Sequence, residues 1–211
     1  MKNKIYLLIG FGFFCLFCIL MILLSFDVSV IAKSGEPVGL SHINNLMQYN
    51  ENHTIDKISD VILYLSFAII VIAAVIGILQ LVKRKSLYKV DIEIIFLGIF
   101  FVLSIIIWIV FDKFFKVNVR PIGSDDGSFP STHVLLTTFL LLSGHGLCCI
   151  YLDKKLYKYG SLVLAILLII IVTIFRLVSG MHYITDVLGG LLLGISFYFV
   201  VFGMGKLKPK K

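Results

Sequence analysis

The chain has 211 residues, 59% of them hydrophobic and 15% charged, with a mean hydropathy of +1.04 and a formal net charge of +7. So apolar a sequence excludes a soluble domain of ordinary composition, and runs near 20 residues fit membrane spans. The positive balance does not point to nucleic acid, because most lysines and arginines sit in short clusters between apolar runs, the pattern of cytoplasmic loops.

Six apolar runs predict an all-α, polytopic membrane protein, with residues 1–211 forming one membrane-embedded domain. The first run, about 5–26, is longer than the ~7–15 apolar residues of a signal-peptide core and lacks a small-residue cleavage site, so it reads as an uncleaved span. Residues 27–60 form the longest polar segment. The second span covers about 61–82 and is closed by Lys83, Arg84, Lys85 and Lys89. A third covers about 94–111, a fourth about 134–152, a short fifth about 160–175 and a sixth about 187–204. Asn52-His53-Thr54 matches a glycosylation sequon and is read as coincidence. Cys15, Cys18, Cys148 and Cys149 all lie within apolar runs and read as buried free thiols; Cys15 and Cys18 form a C-x-x-C that no second pair or neighbouring histidine completes into a zinc site.

Counting cations on alternate sides gives thirteen on the face holding both termini and six on the other. The rule that positive loops stay inside puts both termini in the cytoplasm, in a plasma (inner) membrane. Two polar islands, 113–133 (KFFKVNVRPIGSDDGSFPSTH) and 176–186 (RLVSGMHYITD), then share the outer face. Ionisable residues so close to a bilayer core are costly and mark a site.

The islands carry what a phosphate ester needs. Lys113, Arg120 and Arg176 supply three positive charges, two of them planar forks that bind oxyanions bidentately. Pro121 biases Arg120 toward extended backbone. Ser131 and the N–H groups after Pro130, with Thr132 among them, stand where the fourth span begins, and helix N-termini bind anions. His182 and Asp186, four residues apart at the start of the sixth span, are expected on one helical face, with the carboxylate fixing the imidazole tautomer. A nucleophilic His182, His133 as general acid and a cationic cradle make a phosphohydrolase that needs no metal or other cofactor. Two histidines among three cations are a poor zinc ligand set.

Read as K-x6-R-P (113–121), P-S-T-H (130–133) and R-x5-H-x3-D (176–186), the three segments resemble in order and spacing the signature motifs of the type 2 phosphatidic acid phosphatase family, which includes the vanadium haloperoxidases. The resemblance implies that His182 attacks phosphorus to form a phosphohistidine and that Asp186 orients it. It implies that His133 protonates the leaving group, and that Lys113, Arg120, Ser131, Thr132 and Arg176 hold phosphate oxygens. The chain departs from the family pattern where Thr132 replaces a glycine and Phe175 a serine. The expected substrates are lipid phosphates: undecaprenyl pyrophosphate, phosphatidylglycerophosphate or phosphatidic acid. A lipid phosphotransferase and a non-catalytic membrane scaffold or transport component are the alternatives.

His145, in Ser143-Gly144-His145, imitates the second motif but lacks its proline. It lies ~18 Å along the helix from His133 at ~1.5 Å per residue, and reads as a hydrogen-bonded intramembrane histidine. His42 and His53 read as surface groups, Asp125 and Asp126 as turn residues, and Asp112 as an interfacial partner of Lys113.

Overall fold

Six long helices form because six apolar runs must satisfy their backbone polar groups internally when no water is present. The computed structural model describes residues 2–205, with side chains from residue 4. Met1 and the lysine-rich tail at 206–211, with the cations counted there, lie outside the described residues. In order the helices are α1 (Lys2–Leu23), a short α2 (Ser41–Asn45), α3 (His53–Arg84), α4 (Ile92–Lys113), α5 (Thr132–Tyr151), α6 (Lys155–Val178) and α7 (Ile184–Gly205). All but α2 are long and apolar enough to cross a membrane. Two strands, β1 (Ser29–Val30) and β2 (Pro37–Val38), pair antiparallel ahead of α2.

Two helices outgrow their expected bounds. The fifth span is not short: α6 runs 24 residues, starting at Lys155 and continuing past Arg176. The second gains two turns, because Asn52 caps α3 with its Oδ1 accepting from the N–H groups of Thr54 (3.1 Å) and Ile55 (3.2 Å). The sequon asparagine is thus a helix cap. At 32 residues α3 is about 48 Å long, well beyond a hydrocarbon core of about 30 Å. Its first two turns are polar and belong to the same end of the bundle as the islands.

The helices α5 and α7 form the buried centre, while most of the other four spans face outward. They are also the least apolar spans, with Thr137, Thr138, Ser143 and Ser196 fully enclosed. Small and polar residues between helices, with aliphatic ones toward lipid, are the pattern of membrane packing. On α7 the seam is Gly190-x-x-x-Gly194. A Cβ on Gly190 would stand 2.6 Å from the Ser131 carbonyl oxygen, and one on Gly194 2.8 Å from that of Leu135. Helix α1 lies along α7, where the Ser196 hydroxyl donates to the Gly10 carbonyl at 2.8 Å.

Residues 27–52, 114–131 and 179–183 gather at one end of the bundle. The Gly39 N–H donates to Asn118 Oδ1 (3.1 Å), the Thr185 N–H to Asn44 Oδ1 (3.3 Å) and the Asn52 N–H to the Ser179 carbonyl (3.0 Å). Val38, Ala32, Val119 and Tyr183 make a small apolar core beneath the hairpin. At the opposite end Asp91 accepts from Gln80 (2.8 Å), Tyr151 (2.6 Å) and Arg84 (2.9 Å), tying α3, α4 and α5 together. Replacing Gly190 by valine forces α5 off α7 at the level of Ser131. Thermal unfolding in detergent should show a loss of about 1–3 kcal/mol, as for other overpacked interiors.

Candidate active site

The middle of the second polar island, residues 179–183, is not helical. His182 precedes α7, so it and Asp186 do not share a helical face as the spacing suggested. Tyr183 caps α7, its carbonyl accepting from Val187, and Asp186 is the third residue of the helix. The Asp186 Oδ2 reaches back to the Tyr183 N–H at 2.9 Å, the carboxylate half of a capping box. Its Oδ1 accepts from Asn118 Nδ2 at 2.9 Å, and its carbonyl accepts the Ser131 N–H at 2.9 Å. Asp186 is fully buried and Oδ2 lies 3.6 Å from His182 Nδ1, near enough to orient the ring yet beyond a formed hydrogen bond.

The first island folds over this point as a tight loop. The Arg120 N–H donates to the Asp126 carbonyl (3.2 Å) and the Ser128 N–H to the Asn118 carbonyl (2.8 Å), so 118–128 doubles back on itself. Phe129 is then driven between Phe17 of α1, stacked at 5.7 Å, and Phe111 of α4 at 6.1 Å. That wedge fixes Pro130 and Ser131 against the start of α5. Ser131 is the N-terminal cap as expected, but its own hydroxyl makes no capping bond.

These loops and the outer turns of α3, α4 and α5 enclose a cavity of about 260 Å³. Its polar end holds Arg120, Ser128, Thr132, His133 and His182; its apolar wall is Leu63, Tyr64 and Phe67 of α3, Trp108 and Phe111 of α4, and Leu136 of α5. Ser131, Arg176 and Asp186 are buried behind the polar end. Four buried polar atoms in this group have no partner: Arg120 Nε, Ser131 Oγ, Arg176 Nε and His182 Nδ1. Such atoms are expensive inside a protein, and here three of them are donors suited to an anion.

Lys113 stands apart from the cavity wall. It ends α4 with an exposed side chain, and its ammonium pairs with Asp112 at 2.8 Å and Asp126 at 3.5 Å. The Ser124 hydroxyl, followed by the Lys113 and Arg120 charges, holds the Asp126 carboxyl below its usual range. Asp112 is therefore the partner that the sequence suggested, and Asp126 is more than a turn residue.

One face of α3, outside every sequence motif, also reaches the site. Arg176 Nη1 donates to Asp56 and, at 3.2 Å, to the Ser59 hydroxyl. One turn on, Asp60 Oδ1 lies 2.7 Å from His133 Nε2. Ser59 gives Arg176 a hydroxyl partner although position 175 carries phenylalanine. His145 lies far along α5 from His133, bonded through Nδ1 to the Ser161 hydroxyl of α6 at 3.1 Å, and takes no part in the cavity. All four cysteines are free, and among the described residues no cluster could hold a metal ion.

A model of the PAP2 superfamily matches residues 8–209, nearly the whole chain. The chain belongs to the PAP2 superfamily. No curated protein matches it. Among solved structures, it is similar to the first transmembrane PAP2 type phosphatidylglycerolphosphate phosphatase from Bacillus subtilis, with a TM-score of 0.63 and 19% identity over 95% of this chain and 98% of that one. At that identity the likeness shows a shared membrane fold.

Burial, reinforced by the guanidinium charges of Arg176 and Arg120, holds the His182 imidazole well below its ordinary pKa of 6.5. It is therefore neutral, with a lone pair available, at neutral pH. Its NMR signal, assigned by its loss in His182→Gln, should titrate below pH 6.5. Asn118→Leu removes a donor from a buried carboxylate, a bond of about 1.5–3 kcal/mol. Phosphate release by that variant should drop roughly ten- to a hundredfold, chiefly in kcat.

Proposed function

We propose that this PAP2 protein is a metal-independent phosphatase of membrane lipids, working through a phosphohistidine on the outer face of the membrane. The observation that carries the reading is the set of unpartnered buried donors on Arg120, Ser131 and Arg176, grouped at the end of a cavity whose other wall is apolar. A phosphoryl group there receives hydrogen bonds from both arginines, from Ser131 and from the N–H groups that open α5. Lys113 adds charge from the rim rather than direct contact.

His182, oriented by Asp186, attacks phosphorus through the ring nitrogen that faces the cavity. The P–O bond to the lipid breaks, its electron pair goes to the leaving oxygen, and His133 supplies the proton. Water then attacks the phosphohistidine, its proton passes to His133, and the P–N pair returns to His182. The arginines stabilise the charge of the transferring phosphoryl group in both steps.

A cavity of about 260 Å³ is smaller than the roughly 300–1,000 Å³ that encloses a drug-sized ligand. It suits a head group whose chain stays in the bilayer, and Tyr64 and Trp108, on the apolar wall, are themselves exposed on the flanks of α3 and α4. Undecaprenyl pyrophosphate, phosphatidylglycerophosphate and phosphatidic acid all have that form. The cation count supports both termini in the cytoplasm and the cavity outside, which suits recycling of an isoprenoid carrier.

In detergent with chelator and no added metal, wild type should release phosphate from at least one of these three lipids. His182→Ala should fall to background, and His145→Ala should stay within about twofold of wild type. Release that appears only when an acceptor lipid or sugar is added makes the protein a phosphotransferase. No release from any of them, with or without acceptors, leaves the scaffold reading.

A further inference from the structure

The carboxylates of α3 lie outside the three motifs yet bind two of their basic side chains, Arg176 and His133. Asp56, Ser59 and Asp60 are spaced i, i+3 and i+4, and so project from one face of the first two turns of α3. Asp56 and Ser59 engage Arg176. Asp60 engages His133.

The pair has a defined chemistry. A carboxylate only accepts, so a 2.7 Å contact from His133 Nε2 to Asp60 Oδ1 places the Nε2 proton between them. His133 lines the cavity, and with Nε2 committed to Asp60 its Nδ1 is the nitrogen left to meet a substrate oxygen. To donate from Nδ1 the ring must be the imidazolium. The cations that act on that ring are Arg176 on α6 and Arg120 on the 114–131 loop, and His182 lines the same cavity. Facing them on α3 are Asp56, already bound to Arg176, and Asp60, while Asp112 of α4 is bound to Lys113. Asp60 is thus the carboxylate in direct contact with the acid histidine.

We propose that Asp60 is a positioning residue for proton donation: it fixes the tautomer and ring orientation of His133 and offsets the positive charge of its acid form. The site then contains two aspartate–histidine pairs of opposite purpose. Asp186 orients a neutral ring for attack, and Asp60 a charged ring for donation. As the P–O bond breaks, its electron pair and the Nδ1 proton of His133 meet on the leaving oxygen, and the ring left behind keeps its Nε2 proton against Asp60. This inference rests on the phosphatase reading with His133 as the acid.

Leaving-group dependence separates this role from a structural one. A lipid alkoxide is a poor leaving group and needs the proton; a nitrophenolate does not. The full-length protein in detergent is assayed for kcat/KM, which covers the steps up to leaving-group departure, on an alkyl phosphate and on a nitrophenyl phosphate bearing the same alkyl chain. General acid catalysis is typically worth 10²–10⁴-fold. Asp60→Asn should therefore lose about a hundredfold on the alkyl phosphate and less than about threefold on the nitrophenyl phosphate. His133→Gln should show the same selectivity, and Asp60→Glu should recover part of the loss. Asp56→Asn should weaken both substrates alike, through Arg176. Equal losses on both substrates in Asp60→Asn, or none on either, overturn the role of Asp60 while wild-type turnover and inert His182→Ala leave the phosphatase reading standing. A wild type that cleaves neither substrate nor any of the three lipids removes both.

Discussion

Asp186 is the residue on which the site is assembled. Its two carboxylate oxygens and its carbonyl bind three different segments: Asn118 in the loop after α4, the Tyr183 N–H at the start of α7, and the Ser131 N–H at the start of α5. Each motif therefore meets the others through one buried aspartate, and His182, the proposed nucleophile, stands next to it. A fully enclosed carboxylate is tolerable because both of its oxygens accept hydrogen bonds from fixed donors. The same bonds immobilise the loops that present Arg120 and His182. Organisation of this kind lets donors aim at a phosphoryl group without rearranging during reaction.

The bilayer explains why this node can sit where it does. With lipid outside, the helices depend less on an aliphatic interior to associate, and glycine, threonine and serine share the centre with leucines and phenylalanines. The close passage of α7 against α5 at Gly190 and Gly194 brings the first turn of α5 directly onto Asp186. Bulkier residues there would separate two of the three motifs. The segment between α1 and α3 is fastened at the same end, through Asn44 to the first turn of α7 and through Gly39 to the loop after α4.

The spans and motifs were legible because their signals are local: long apolar runs, and fixed intervals between charged residues. Convergence of the two islands followed from counting alternate sides. The helical relation of His182 to Asp186 was misread, since a spacing of four residues also fits a capped helix start in which the first residue lies outside the helix. The carboxylates of α3 were missed for a different reason. Their partners are 73 and 120 residues away in sequence, and the turn that bears them reads as polar loop. A signal was present: Asn52 ahead of Thr54 is a helix cap, and the interval Asp56, Ser59, Asp60 marks a polar face on the helix it starts. The glycine pair of α7 was equally visible, as a small-residue repeat within an apolar run.

The pairing of α1 with α7 makes a span that is synthesised early wait for one that comes five spans later. Until α7 arrives, α1 lacks its main neighbour, and only lipid can cover it. Its sequence suits that interval, since beyond its opening residues it is apolar on every side and carries no charge after Lys4. The core helices α5 and α7 have the opposite character: their glycines and hydroxyls are poor company for lipid alone, but they are made late, when partners already wait in the membrane. The order of synthesis and the radial order of the bundle thus agree, with α1, the helix better able to stand alone, made before the central α7.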